Sequence, residues 1–114
     1  MVTQEGIITE PEIALAEMET HAVEAAALLK TLSHPVRLLL ACTLAEGEYS
    51  VGALEHKLDI HQPNLSQQLG VLRDARIVET RRDAKQIFYK LTEDKAAQVI
   101  RALYAIFCTP EQQT

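Results

Sequence analysis

From Leu15 onward the apolar positions step by three and four residues: Leu15, Met18, Ala22, Ala25, Leu29 and Leu32. That spacing puts them on one face of a long helix. Ahead of it, Thr9-Glu10-Pro11-Glu12 reads as a capping box with proline in the first turn. Residues 1–8 carry no period and are expected to form a flexible acidic tail. Ser33-His34-Pro35 stops the first helix and starts a second over Val36 to Glu46, which Gly47 is expected to close in a left-handed conformation. Ser50 caps a short third helix carrying Val51, Leu54 and Leu58. After Asp59-Ile60-His61 a fourth helix opens with Pro63 in its first turn and buries Leu65, Leu69 and Leu72.

The period then changes. Ile77 to Arg82 and Gln86 to Leu91 are short and β-rich, with Asp83-Ala84-Lys85 between them, and Ile87, Tyr89 and Leu91 alternate as in a half-buried strand. This is a β-hairpin. Thr92-Glu93-Asp94 caps a last helix with Val99, Ile100, Leu103, Ile106 and Phe107, and Pro110 ends it. The order is four helices, a hairpin and a helix. That predicts a mainly α fold with a β-hairpin wing: a winged helix-turn-helix, one domain over residues 9–109 with a short tail over 110–114.

Composition narrows the class. A chain of 114 residues, 47% hydrophobic and 24% charged, suits one globular domain rather than a disordered chain. No apolar run approaches the roughly 18–20 residues of a membrane span. The first 24 residues hold six glutamates and no Lys or Arg, unlike a signal or transit peptide. Two cysteines do not make a secreted disulfide scaffold, so a cytoplasmic, membrane-free protein is expected.

The net charge of −5 argues against nucleic acid only when read as a total. Residues 1–24 carry −6, and the remaining ninety residues sum to +1. Between Arg73 and Lys90, six cations (Arg73, Arg76, Arg81, Arg82, Lys85 and Lys90) face three acids (Asp74, Glu79 and Asp83). A phosphate-binding face and a solvated strand of scattered charge both fit this segment.

The fourth helix adds a second signal. With Leu65, Leu69 and Leu72 inward, Pro63, Asn64, Ser66, Gln67 and Gly70 point outward. An ordinary exposed face is rich in Lys and Glu. This one offers short amides and a hydroxyl, which pair with base edges. Gly70 costs about 1 kcal/mol relative to Ala in a helix. A close approach of DNA backbone there, or mere incidence, would account for it. Arg81, Arg82, Lys85 and Gln86 lie at the hairpin tip, where cations reach phosphates or protect an edge strand.

Leu32-Ser33-His34-Pro35-Val36-Arg37-Leu38, the Leu65-Ser66-Gln67-Gln68-Leu69 core of the fourth helix and the Arg81-Arg82 wing resemble the ArsR/SmtB winged-helix repressors. The likeness runs from about Ala26 to Cys108. It implies a homodimer built from the first and last helices, bound to palindromic double-stranded operator DNA and released by a chemical signal. The DNA-binding set is then Gln62, Asn64, Ser66, Gln67, Gln68, Arg81, Arg82 and Lys85. Asn64, Ser66 and Gln67 would read or position bases, while Gln62 and the wing cations would hold phosphates. The chain departs from the family pattern at Gln68, where histidine is usual, and at Arg76 and Ala84, where glycine is usual.

Many members of that family sense metals. The cysteine-bearing third-helix motif corresponds here to Glu48-Tyr49-Ser50-Val51-Gly52, with both thiols missing, and the last helix has no histidine. His21, His34, His56 and His61 have no ligand spacing, so no metal and no cofactor are expected. Cys42 and Cys108 remain. On local chemistry both read as packing residues, since neither sits beside an activating charge. The resemblance to a sulfide-responsive subgroup implies otherwise. There, cysteines matching Cys42 and Cys108 form a disulfide or polysulfide link that lowers DNA affinity, with reactive sulfur species or an oxidant as inducer.

The expected function is a non-enzymatic, redox-switched transcriptional repressor. Its rivals are a metal-sensing ArsR-type repressor, a small thiol oxidoreductase, and an interaction module that binds no DNA. A stoichiometric metal assay, turnover of a small disulfide, and charge reversal at Arg81 and Arg82 separate them.

Overall fold

The computed structural model describes residues 13–108. It is mainly helical, with a β-hairpin wing. The elements are α1 (Leu15–Leu32), α2 (Pro35–Leu44), β1 (Tyr49–Ser50), α3 (Val51–Leu58), α4 (Gln62–Asp74), β2 (Val78–Asp83), β3 (Gln86–Leu91) and α5 (Lys95–Phe107). The expected capping box at Thr9 to Glu12 and both tails lie outside the described residues. Ile13 and Ala14 are not helical, so α1 begins at Leu15 rather than at that box. No single helix among the described residues is long and apolar enough to cross a membrane.

Capping explains most of the boundaries. The His34 Nδ1 accepts from the Val36 N–H at 3.2 Å, with Pro35 supplying the fixed φ of a first turn. The Ser50 hydroxyl accepts from the Ala53 N–H at 3.1 Å and starts α3. Asp94 Oδ1 accepts from the Ala96 and Ala97 N–H groups at 2.9 and 3.4 Å and starts α5. The second helix departs from expectation. It stops at Leu44, closed by right-handed Ala45, and Gly47 has φ 155°, which is not the left-handed helical region.

The sheet has three strands in the order β1-β3-β2. The sequence pattern missed β1 because two residues are too few to show an alternation. Tyr49 pairs with Tyr89 and Ser50 with Phe88, which makes β3 the central strand and anchors the wing to the body. The hairpin pairs Val78 with Leu91 through Asp83 with Gln86, so β2 begins one residue later than expected.

One core collects Leu40, Ala41 and Leu44 of α2, Leu54 of α3, Leu65, Leu69 and Leu72 of α4, and Ile100 of α5. Ile77, Val78 and Leu91 close it under the wing. The apolar stripe of α1 behaves differently. Leu32 is buried, but Leu15, Met18 and Leu29 are 71%, 53% and 57% exposed. The chain's own core does not cover that face.

Arg76 and Ala84, where a family glycine is missing, adopt φ 63° and 60°. Arg76 follows α4, and Ala84 is the first residue of the two-residue wing loop. Only Ala84 of that loop has positive φ, the φ pattern of a type II′ turn that favours glycine at its first loop position. A Cβ in left-handed backbone costs about 1–2 kcal/mol. Arg76→Gly and Ala84→Gly are each expected to stabilise the protein by about 1 kcal/mol, raising the thermal midpoint by roughly 4 °C or more. Calorimetry on the two variants checks this; a lower midpoint contradicts it.

Candidate DNA-binding face and cysteine pocket

The α3–α4 pair forms the helix-turn-helix. Asp59 ends α3 at φ 55°, a conformation that its short polar side chain tolerates better than most. Chain reversal there lets α4 pack Leu65, Leu69 and Leu72 fully inward. Gln62, Asn64, Ser66 and Gln67 are all exposed, as expected. A Cβ built on Gly70 meets nothing within 4 Å, so no packing within the chain requires glycine there.

Gln68 departs from the expected set. It is 7% exposed, and its Oε1 accepts from Arg37 Nη1 at 3.0 Å while its Nε2 donates to Asn64 Oδ1 at 3.1 Å. The side chain is turned into the body, where it holds its neighbour in place of a base. The signal was present in the spacing. Leu65, Gln68, Leu69 and Leu72 follow the inward i, i+3, i+4, i+7 pattern.

The wing cations divide into two kinds. Arg81 is held: its Nε and Nη2 donate to the two Glu48 carboxylate oxygens, both at 2.8 Å, and its guanidinium lies 4.5 Å from the Phe88 ring centroid. This hydrogen bonding keeps the Glu48 carboxyl below its ordinary range. Among the described residues, no ion pair engages Arg82 or Lys85, and both are exposed. Sequence reading placed all three together at the tip. It missed Glu48, because the pair is 33 positions apart and formed only by β1 docking on β3.

Cys42 on α2 is partly buried and Cys108 caps α5 in the open. Both are free thiols, not close enough to be bonded. Both line one pocket of about 370 Å³ with Leu39, Thr43, Glu46, Lys57, Leu58 and Tyr104. Burial, and secondarily the neighbouring Cys108, push the Cys42 thiol above its ordinary range. At the rim, Glu46 accepts from the Tyr49 and Tyr104 hydroxyls at 2.8 and 3.1 Å. The Tyr49 bond is the main cause holding the Glu46 carboxyl low, and the Tyr104 bond and Lys57 act in the same direction. One carboxylate thus ties the end of α2 to β1 and to α5. Among the described residues, no group of three or more His, Cys, Asp or Glu side chains gathers as metal ligands.

A helix-turn-helix with an amide-lined outer face and a cationic wing defines a nucleic-acid-binding regulator class. Comparison with known proteins agrees. The model of the arsR family of bacterial regulatory proteins matches residues 34–80. The chain belongs to that family. It is closely related to the biofilm growth-associated repressors. That of Agrobacterium fabrum is 72% identical over 89% of this chain and 86% of its own length. The crystal structure of the transcriptional repressor BigR from Xylella fastidiosa superposes with a TM-score of 0.80 at 64% identity, covering 89% of this chain and 98% of that one. Reduced HlyU from Vibrio cholerae superposes with a TM-score of 0.78 at 37% identity, over 83% of this chain and all of that one.

Proposed function

We propose that the protein is a homodimeric transcriptional repressor whose grip on operator DNA is switched by its cysteine pair. The observation that carries the switch is the shared pocket: two free thiols, one on α2 and one at the end of α5, open onto the same space. A repressor's name attaches to its relatives in Agrobacterium and Xylella, and the HlyU structure is described by its reduced state. Asn64, Ser66 and Gln67 read or position bases in the major groove, and Gln62 with the wing residues Arg82 and Lys85 holds phosphates. The dimer forms through α1 and α5. Leu15, Met18, Val23 and Leu29 on α1 and Ile106 and Phe107 on α5 are exposed apolar side chains that a second copy would cover.

The chemistry runs in two balanced steps. The Cys108 thiolate attacks a sulfane sulfur of a polysulfide, forming a persulfide and releasing the shortened polysulfide. Cys42 then attacks the Cys108 sulfur, which makes the Cys42–Cys108 disulfide and expels hydrogen sulfide. The polysulfide is the oxidant. A persulfide on each cysteine gives a longer bridge by the same displacement. Bridging requires Cα atoms about 4.4–6.8 Å apart, so the end of α5 must move toward α2. A dimer helix then shifts, and with it the spacing of about 34–36 Å between recognition helices that operator half-sites demand.

The order of attack follows from exposure and thiolate content. Cys108 is expected to react with iodoacetamide or polysulfide before Cys42, whose raised thiol pKa keeps it protonated to higher pH. Mass spectrometry of briefly treated protein, paired with a gel shift on the DNA upstream of its own coding region, tests the proposal. Loss of the shifted band should accompany the Cys42–Cys108 bridge. Release of DNA with both thiols unmodified sinks the thiol mechanism.

A further inference from the structure

The orientation of the Asn64 amide is set by a chain of hydrogen bonds whose direction chemistry leaves no freedom to reverse. Arg37 Nε donates to the Thr31 carbonyl at 2.7 Å, near the end of α1. Its Nη1 meets the Gln68 side chain at 3.0 Å. A guanidinium only donates, so the atom that Gln68 turns toward it must be the oxygen. The Gln68 NH₂ is then directed to Asn64, 3.1 Å away, and that contact must be the Asn64 oxygen. The Asn64 NH₂ is what remains for the exposed side of α4. Arg37 is part-buried and Gln68 buried, so water does not cheaply replace the bond between them.

We infer that α4 presents Asn64 to the operator as a hydrogen-bond donor, and that Arg37 and Gln68 are the positioning residues that fix this polarity. The inference rests on the DNA-reading proposal above and adds what is read. Asparagine usually pairs with adenine by donating to N7 and accepting from N6. With its oxygen turned to Gln68, Asn64 meets the groove through its NH₂ and gives up the two-bond adenine pair. The base facing it is therefore chosen for a major-groove acceptor: guanine O6 or N7, thymine O4, or adenine N7 through a single bond. Cytosine, which presents its N4 amino group there, is rejected. Asn64 stands in the first turn of α4, the part of a recognition helix that reaches base edges.

Gln68→Glu inverts the chain without emptying it. A glutamate still accepts from Arg37, but it has no donor for Asn64. The Asn64 NH₂ then turns inward to the carboxylate, and its oxygen faces the groove. The test is selection of binding sites from a randomised DNA pool by the full-length wild-type protein, Gln68→Glu and Asn64→Ala. The wild type is expected to exclude cytosine at one position per half-site. Gln68→Glu should enrich cytosine at that position by about tenfold or more relative to the wild type. Asn64→Ala, an exposed change that spares the core, should lose selectivity at the same position only. Cytosine selected by the wild type, or site preferences identical in all three proteins, overturns the inference while leaving DNA binding intact. A wild type that enriches no sequence overturns the DNA-reading proposal itself, and this inference with it.

Discussion

Operator affinity is expected to fall by about 10³–10⁵ between 50 and 200 mM salt, the loss for a dimer that makes roughly 6–10 phosphate contacts. Each contact releases counterions, so the plot of log affinity against log salt has a slope near −0.9 per phosphate. The structure divides this slope among the wing cations. Arg82 and Lys85 are exposed and unpaired among the described residues. Replacing either by alanine removes two contacts from a dimer and should flatten the slope by about 2. Arg81 is already bound to Glu48 through two 2.8 Å hydrogen bonds and stacked on Phe88. Arg81→Ala should leave the slope unchanged and weaken binding only severalfold, by loosening the wing. Glu48→Ala decides the sign. If Arg81 is a strut, affinity falls. Should affinity rise and the slope steepen, Arg81 is a phosphate ligand that Glu48 restrains. Fluorescence anisotropy over a salt series reads all four variants, and a flat salt dependence of the wild type would falsify DNA binding as the function.

Cys42→Ser and Cys108→Ser are expected to abolish the response to polysulfide while leaving reduced-state operator affinity within about twofold. Serine keeps the size of the side chain but cannot form a sulfur bridge. The two variants should differ in chemistry while agreeing in phenotype. With Cys42 replaced, Cys108 still acquires sulfur, because it is the exposed partner, but no second thiol completes the link. With Cys108 replaced, Cys42 is largely silent at neutral pH, since burial favours its protonated form. Titration of both variants with polysulfide on preformed repressor–DNA complexes makes the comparison. Release of either variant at wild-type polysulfide concentrations shows that one cysteine suffices and removes the bridge from the mechanism.

Much of this protein is visible in the chain itself. Helix positions follow from local rules: the three-to-four-residue spacing of Leu65, Leu69 and Leu72, the Ser50 and Asp94 caps, and the shift to alternation at the hairpin. These signals depend on neighbours a few residues away, so one sequence displays them in full. That Arg76 and Ala84 stand where glycine is usual came from the family resemblance and not from local pattern. Both positions turned out to have positive φ.

Polar partnerships across the fold were not visible. Arg81 reads beside its sequence neighbours as one more free cation; its Glu48 partner, just ahead of β1, is 33 positions away and visible only in the fold. Gln68 entered the DNA-binding set with the family resemblance, not through the outer face of α4. Its spacing placed it inward, and Arg37, 31 positions away, together with Asn64 makes that burial tolerable. The α1 stripe had the period of a core helix, yet no spacing rule states whether its own chain or another covers it.

By itself the sequence determined the helices, the hairpin and the winged helix-turn-helix order; the two cysteines became candidates for the signal only through the family resemblance. The tertiary structure decided which polar groups are engaged and which are left to act on a ligand. The reason is the range of the forces involved. Helix and strand periods arise from contacts within one or two turns of chain. The orientation of an amide or a guanidinium is set by whichever donor or acceptor packing brings within 3 Å or so, and that partner can lie anywhere in the sequence.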